Sequence, residues 1–191
     1  MRRVTFIAGG WIIWFTGKPG SGKTTLANAL ARVLSRSRRI QILDADEIRA
    51  SMWPELGFDP KHREENVRRL GRMATMLARH SVSVLVAAVS PYDKGRTEVR
   101  REAETNGIPF LLVHADADLE CLVKRDPKGL YKRALAGELP QFTGVSATYE
   151  RPMNAELVLR TDRESCEESL MRTVAYLNRT GFIEPLREIQ T

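Results

Sequence analysis

The sequence predicts an α/β domain built on a five-stranded, mostly parallel sheet with helices on both faces. Three observations support this prediction. Apolar β-type runs alternate with helical stretches along the chain, an order typical of parallel sheets. The first run, 11–15, shows no polar alternation, as expected for a strand covered on both faces. The chain has 191 residues, too few for two domains of ordinary size, so we expect residues 1–191 to form a single domain.

The first half of the chain begins with strand 11–15, which ends at Thr16-Gly17. Residues 24–34 are predicted to be helical because apolar side chains recur at helical spacing. A short second strand, 40–43, comes next. Residues 61–79 then form a long helix whose apolar side chains lie on one stripe, namely Val67, Leu70, Met73, Ala74 and Leu77.

The second half begins with a third strand, 82–89, which Ser90-Pro91 ends. Asp118 is expected to cap a helix that reaches Arg125, and the sequence Asp-Pro-Lys-Gly at 126–129 breaks that helix. Because ligands of parallel sheets bind at the carboxyl ends of the strands, the motifs that follow strands are the candidate site. The remaining predicted elements are helix 95–105, strand 110–114, strand 157–159 and helix 163–178.

The charge balance favours anionic partners. The chain carries 30 Lys and Arg against 24 Asp and Glu, a net charge of +6. Nucleic acid and small phosphorylated molecules both fit this excess, as does a merely basic surface. No apolar run approaches the ~20 residues that span a bilayer, and the N-terminal apolar stretch is too short for a secretion signal. Cys121 and Cys166 have neither metal-ligand spacing nor enough partners for a disulfide framework, so we expect a cytoplasmic protein. We also expect no membrane partner.

A phosphate-binding loop follows the first strand. Residues 17–24 fit the pattern G-x-x-x-x-G-K-[ST], between a predicted strand and a predicted helix. Backbone N–H groups of such a loop converge on phosphate, and the helix N-terminus adds positive potential. We therefore expect a three-layer P-loop NTPase fold, similar to that of the nucleoside and nucleotide kinases. We expect ATP to contact Gly17, Lys18, Pro19, Gly20, Ser21, Gly22, Lys23, Thr24 and Thr25.

Carboxylates for Mg²⁺ and for proton transfer follow the second strand rather than the third. The third strand ends without a carboxylate, whereas the second ends Leu43-Asp44-Ala45-Asp46. Lys23 would reach the β- and γ-phosphates, and the Thr24 hydroxyl would bind Mg²⁺, with Asp44 as its partner. Either Asp44 or Asp46 would accept the proton of a substrate hydroxyl. One of the two aspartates could instead cap the next short helix.

Several motifs in order resemble the adenylylsulfate kinase (APS kinase) family, which phosphorylates the 3′-hydroxyl of adenosine 5′-phosphosulfate (APS). The resemblance extends from about residue 11 to 162 and includes a lid over residues 125–147, whose motifs are the most specific. It is carried by the phosphate loop and by Leu-Asp-Ala-Asp-Glu-Ile-Arg at 43–49, Leu-Gly-Phe at 56–58, Arg-Glu-Glu-Asn-Val-Arg-Arg at 63–69, Ser-Pro-Tyr at 90–92, Arg-Asp-Pro-Lys-Gly-Leu-Tyr-Lys at 125–132, Phe-Thr-Gly at 142–144, and Tyr149-Glu150 with Pro152.

The resemblance implies an ATP- and Mg²⁺-dependent kinase that converts APS to PAPS and ADP, works in sulfate assimilation, forms a homodimer and binds no nucleic acid. Arg63 and Asn66 share a helix face and, with Arg49, could hold a phosphosulfate by charge-assisted hydrogen bonds. Arg125 is implied for ATP. The residues implied for APS are Asp46, Arg49, Phe58, Arg63, Asn66, Lys128, Leu130 and Phe142.

Ser90 is a further candidate catalytic residue, because the family is often described with a phosphoserine at the serine of the Ser-Pro-Tyr turn. Direct in-line transfer requires no such intermediate, so we expect Ser90 to orient substrate.

Departures from the family pattern leave other functions open. Ala45 stands where glycine is usual, His62 replaces an aspartate, Gly95 interrupts the charge pattern after the Ser-Pro-Tyr turn, and Lys18 replaces an apolar residue. One alternative is a kinase of the same fold that acts on another small-molecule hydroxyl. Another is a non-catalytic nucleotide-binding or nucleic-acid-binding regulator, although the sequence contains no DNA- or RNA-binding motif.

Overall fold

The computed structural model describes residue 7 and residues 9–184. The expectation that no secretion signal is present concerns residues 1–10, most of which lie outside the described part. Within that part, no helix is long and apolar enough to cross a membrane.

In the described part of the chain the sheet contains five strands, at the positions predicted from the sequence. Its hydrogen-bonded order is β2-β3-β1-β4-β5, and each of the four pairings between neighbouring strands is parallel. The prediction of a mostly parallel sheet is therefore confirmed, and the pairings show that the sheet is parallel throughout. The strands are β1 (Ile12–Thr16), β2 (Ile40–Asp44), β3 (Ser83–Ala87), β4 (Phe110–Asp116) and β5 (Leu157–Arg160).

Helices cover both faces of the sheet, as predicted. The central strand β1 is fully buried, and its side chains alternate between two cores. Ile12 and Trp14 pack under helices α2, α3 and α4, whereas Ile13 and Phe15 pack under α1 and α7. The helices are α1 (Lys23–Leu34), α2 (Ala45–Met52), α3 (Pro60–Arg79), α4 (Asp93–Thr105), α5 (Leu119–Arg125), α6 (Leu130–Leu135) and α7 (Cys166–Thr180).

Several element boundaries differ from the predicted ones for local reasons. Helix α7 begins three residues later than predicted, because Ser165 and Glu168 form a reciprocal capping box. The expected cap at Asp118 is wrong: Asp118 occupies the position before α5, but its side chain forms no capping hydrogen bond and instead pairs with Arg160 and Arg163. Helices α2 and α6 are too short for apolar spacing to predict.

A third, smaller core lies under the segment with lid-like sequence. Ala117, Leu122 and Tyr131 are buried together, and Phe142 and Val145 pack against them. Helix α6 and the turn that follows it are therefore fixed to the end of β4 and to α5 by apolar contacts.

Candidate active site

The phosphate loop begins where β1 ends, at the carboxyl edge of the sheet. Gly17 lies so close to β4 that a Cβ there would stand 2.3 Å from the Ala115 carbonyl oxygen and 2.5 Å from Ser21 Oγ. Gly22 precedes α1 with a left-handed φ of 86°, a conformation that glycine adopts at little cost. These two glycines hold the loop close to the sheet and set its turn into α1. Ser21 is buried in the loop, whereas Thr25 in the first turn of α1 is exposed.

Lys23 lies at the start of α1 with its amino group turned back over the loop. Its Nζ donates a hydrogen bond of 2.8 Å to the Lys18 carbonyl oxygen. Burial lowers the pKa of Lys23 from 10.5 to about 8, although Asp46 and Asp44 act in the opposite direction. Among the described residues Lys23 forms no ion pair within 4 Å, and an ammonium that has lost part of its hydration in this way is well prepared to bind an anionic phosphate.

Thr24 and Asp44 form a pair of oxygen ligands beside Lys23. The Thr24 hydroxyl donates to Asp44 Oδ2 at 2.6 Å, while Asp44 Oδ1 accepts from the backbone N–H groups of Asp46 and Glu47 at 2.9 and 3.4 Å. Asp44 thus caps α2 and faces Thr24 at the same time. A hydroxyl and a carboxylate are the hard oxygen ligands that Mg²⁺ prefers, so the residues present fit a magnesium ion.

Asp46 points away from Asp44 and into the open. Its side chain is 75% exposed, and Oδ2 lies 3.6 Å from Nζ of Lys128, which is itself exposed. Asp44 is therefore engaged by the cap of α2 and by Thr24, whereas the Asp46 carboxylate is exposed beside Lys128. The two aspartates, which the sequence left indistinguishable, have different surroundings in the structure.

A wall of the candidate site, separate from the phosphate loop, consists of an aromatic ring and two guanidinium groups. Phe58 is 61% exposed, and the guanidinium carbons of Arg49 and Arg63 lie 4.6 and 5.8 Å from its ring centroid. Arg49 donates to the Gly57 carbonyl oxygen at 2.6 Å, and Arg63 to that of Phe58 at 2.6 Å. An exposed ring beside two cations suits a ligand with a planar base and an anionic group.

Arg63 and Asn66 have different surroundings although they lie on one helix face. Arg63 reaches across to Gln141 and Thr143, with hydrogen bonds of 2.7 and 2.8 Å. Asn66 is 5% exposed, and its Oδ1 accepts from the Trp53 indole at 2.7 Å. Arg63 therefore links the wall at Phe58 to residues of the predicted lid, whereas Asn66 is held by Trp53.

The segment of residues 125–147, predicted from the sequence to be a lid, contacts the phosphate loop in two places. Tyr131 donates a hydrogen bond of 2.8 Å to the Pro19 carbonyl oxygen, and Phe142 packs edge-on against Tyr131 with 5.1 Å between ring centroids. The aliphatic part of Lys18 lies against Gly144. Leu130, at the start of α6, is half-buried.

A second cleft, of about 330 Å³, opens on the other side of the loop. Its lining includes Gly20, Gly22 and Thr25 from the loop and α1, and Arg125. The guanidinium of Arg125 donates to the Thr161 carbonyl oxygen. Sequence reasoning missed the other residues that line this cleft. Leu26 belongs to α1, and the rest follow strand β5 at its carboxyl end, which is the signal that could have found them; they are Thr161, Glu164, Ser165, Cys166 and Ser169.

Ser90 is buried, and its hydroxyl is engaged within the protein. Its Oγ accepts from the Trp14 indole at 3.0 Å and donates to Thr16 Oγ1 at 2.9 Å. It adopts a left-handed φ of 38°, which is uncommon for serine. Ser90 thus lies beside the start of the phosphate loop, and its hydroxyl is hydrogen-bonded to Thr16 within the protein.

Comparison with known proteins decides the family. Residues 9–160 match the family described as adenylylsulphate kinase. The chain belongs to the adenylylsulphate kinase family. The adenylyl-sulfate kinase of Myxococcus xanthus is 47% identical over 175 residues, which cover 92% of this chain and 95% of the relative. That of Deinococcus deserti is 46% identical over 169 residues, 88% of this chain and 91% of the relative.

Solved structures agree with this assignment. The Mycobacterium tuberculosis APS kinase CysC, solved in complex with AMPPNP and APS, superposes with a TM-score of 0.86 at 38% identity, over 90% of this chain and 99% of that one. A gluconokinase from Sinorhizobium meliloti, with a TM-score of 0.58 and 15% identity, shares the fold alone.

The departures from the family pattern disturb the site less than their sequence positions suggest. Ala45 begins α2 and is not among the residues with positive φ, so no strain arises there. His62 donates its backbone N–H to Asp59, which caps α3. Gly95 is buried against α3, where a Cβ would lie 3.4 Å from Val67 Cγ1.

Proposed function

We propose that this chain transfers the γ-phosphoryl group of ATP to the 3′-hydroxyl of APS, giving PAPS and ADP. One observation carries the proposal: residues 9–160 match the adenylylsulphate kinase family, and this matched stretch supplies both a phosphate loop and an exposed aromatic ring with two guanidinium groups. The loop suits the donor, and the ring suits an acceptor that combines adenine with a phosphosulfate.

The donor occupies the phosphate loop and the cleft next to it. Loop N–H groups and Lys23 bind the β- and γ-phosphates, and the cleft with Thr25 and Arg125 receives the nucleoside part of ATP. Thr24 and Asp44 are the residues that would hold Mg²⁺, and the ion would supply charge neutralisation on the transferring phosphoryl group. This division uses the loop for the anion and leaves the wall at Phe58 free for the acceptor.

The acceptor lies between Phe58 and the lid. Its adenine stacks on Phe58 with Phe142 nearby, and Arg49 and Arg63 bind its phosphosulfate. Asp46 accepts the proton of the 3′-hydroxyl as that oxygen attacks the γ-phosphorus in line. Lys128 contacts Asp46 from the lid, Asn66 supports the wall through Trp53, and Leu130 borders the lid.

The lid, residues 125–147 of a single domain spanning 1–191, excludes water from the reacting groups. Its contacts with the loop at Pro19 and with Arg63 support a closed arrangement over both substrates. Exclusion of water protects ATP from hydrolysis and strengthens the charge interactions within the site.

Incubation of the protein with Mg²⁺, ATP and APS tests the function directly. Chromatography should show PAPS and ADP in equal amounts, and Lys23→Ala should form neither. If ATP consumption with gluconate or a nucleoside exceeds that with APS, and APS does not compete, the chain phosphorylates another hydroxyl. Binding to DNA that displaces ATP would instead favour a nucleic-acid-binding regulator.

We also propose a cytoplasmic homodimer. The family resemblance supports the dimer, and the free thiols of Cys121 and Cys166 are consistent with a reducing compartment. A similar structure, the hexameric APS kinase from Thiobacillus denitrificans, is 28% identical, and the match covers 30% of that chain. Light scattering of the purified protein distinguishes a dimer from larger assemblies.

A further inference from the structure

A cluster of hydroxyl groups lies where β1 meets the phosphate loop. Thr16 Oγ1 stands at its centre: it contacts the Val89 carbonyl oxygen at 2.8 Å, Ser90 Oγ at 2.9 Å and the Tyr149 hydroxyl at 3.1 Å. The Trp14 indole donates to Ser90 Oγ at 3.0 Å. Thr16 and Ser90 are buried, so these groups have each other as partners in place of water.

Counting protons fixes the direction of each hydrogen bond. Thr16 has a single hydroxyl proton, which it donates to Val89, whose carbonyl oxygen can only accept. With that proton given to Val89, Ser90 and Tyr149 both donate to Thr16; the other acceptor near Ser90 Oγ, the Ala88 carbonyl oxygen, is farther away, at 3.4 Å against 2.9 Å. Thr16 Oγ1 then uses its proton and both of its lone pairs. Removal of the Tyr149 hydroxyl leaves one lone pair of Thr16 without a donor.

Tyr149 itself is held on several sides. Its ring stacks on His114 with 5.9 Å between centroids, and the buried guanidinium of Arg96 lies 5.9 Å from the ring. Arg96 also donates to the carbonyl oxygens of Ser90 and Glu150 at 2.7 and 2.8 Å. Burial raises the pKa of Tyr149 to about 12, so its hydroxyl keeps the proton that it donates.

The three segments that meet at Thr16 belong to different parts of the proposed site. Thr16 directly precedes the phosphate loop, Ser90 begins the Ser-Pro-Tyr turn, and Tyr149 lies just beyond the lid. We propose that Tyr149 is a positioning residue for phosphoryl transfer: through Thr16, its hydroxyl fixes the end of the lid and the start of the phosphate loop relative to each other. This inference rests on the proposed function, because it concerns the alignment of donor and acceptor, to which in-line transfer is sensitive.

Tyr149→Phe tests the inference with little change in shape. Tyr176→Phe is the matched control, because Tyr176 lies in the second half of α7 and packs, partly buried, against the core that contains Ile13 and Phe15. We expect kcat for PAPS formation to fall about tenfold in Tyr149→Phe, with both KM values within about twofold of wild type, since misalignment affects the transition state more than binding. Hydrolysis of ATP without APS should rise relative to transfer. Tyr176→Phe should resemble wild type in all four measurements.

A double-mutant comparison with Thr16→Val keeps the test independent of folding. If the two side chains act through one hydrogen bond, Tyr149→Phe should reduce kcat much less when Thr16 is already valine. Unchanged kcat in a folded Tyr149→Phe, or losses that multiply fully in the double variant, would overturn the positioning role. Absence of PAPS with the wild-type protein would overturn the proposed function as well, so the two failures are distinguishable.

Discussion

Raising the pH from 7 to 9 should weaken the binding of the magnesium complex of AMPPNP by about tenfold through Lys23. Burial lowers the pKa of this residue from 10.5 to about 8. With a pKa of about 8, the amino group is roughly nine-tenths protonated at pH 7 and roughly one-tenth at pH 9. If only the ammonium binds the phosphates, the apparent Kd is inversely proportional to the protonated fraction of Lys23, and it rises about tenfold as that fraction falls from about nine-tenths to about one-tenth.

Titration calorimetry with this non-hydrolysable analogue, in steps from pH 7 to 9.5, measures the effect. Two buffers with different ionisation enthalpies should reveal net proton uptake on binding above pH 8. Lys23→Met is the matched control: it should bind weakly at every pH, with a flat profile. A flat profile for the wild-type protein, or the wild-type slope in Lys23→Met, would refute the assignment of Lys23 to the phosphates.

The same pKa predicts the sign of a stability effect. Because the folded pKa of Lys23 lies below the ordinary 10.5, the unfolded chain binds an additional proton between pH 8 and 10.5. Burial of the ammonium therefore destabilises the ligand-free fold below pH 8, and this cost disappears as the pH rises to 10.5. Lys23→Met should be inactive yet more stable at pH 7, by at most about 3 kcal/mol, as measured by urea unfolding.

Three further predictions concern the acceptor, Ser90 and the loop. Arg63→Ala should raise KM for APS at least tenfold while KM for ATP changes less than about twofold, because the guanidinium faces the ring at Phe58. Steady-state kinetics measures both constants, and an equal rise in the two would contradict this prediction. Ser90→Ala should keep measurable activity, and transfer from chirally labelled ATP should invert the γ-phosphorus, whereas retention together with complete loss in the variant would indicate a phosphoserine. Gly22→Ala should lower the unfolding temperature by roughly 2–8 °C, because the left-handed φ costs alanine about 1–2 kcal/mol. The space around Gly22 is open, so no steric overlap adds to this cost. Gly17→Ala, whose Cβ would collide with the Ala115 carbonyl oxygen, should lower the unfolding temperature by more.

The fold could be predicted from the sequence to a large extent, because its signals are local. The uninterrupted apolar run of β1 and the apolar stripe on α3 depend on neighbours in sequence, and both elements lie within a residue of their predicted bounds. The phosphate loop was equally accessible, since one short pattern between a strand and a helix specifies it. The beginning of α7 was missed because a capping box overrode the apolar spacing.

Tertiary contacts, in contrast, determine which side chains of the site are hydrogen-bonded within the protein and which are exposed. Asp44 and Asp46 are indistinguishable by pattern, and only the cap of α2 and the contact with Thr24 assign them different surroundings. Ser90 follows a strand at the expected edge, but its hydroxyl is taken up by Trp14, 76 residues earlier in the chain.

The sequence by itself determined the class of fold, the family and the phosphate loop, since each is encoded in contiguous residues. Only the tertiary structure decided which side chains are free to meet a substrate. Thr16 shows the reason: its hydroxyl joins partners 73, 74 and 133 residues away in the chain. Spacing within one segment carries no information on such partners, because hydrogen bonds between distant segments form only when the sheet and its helices bring those segments together.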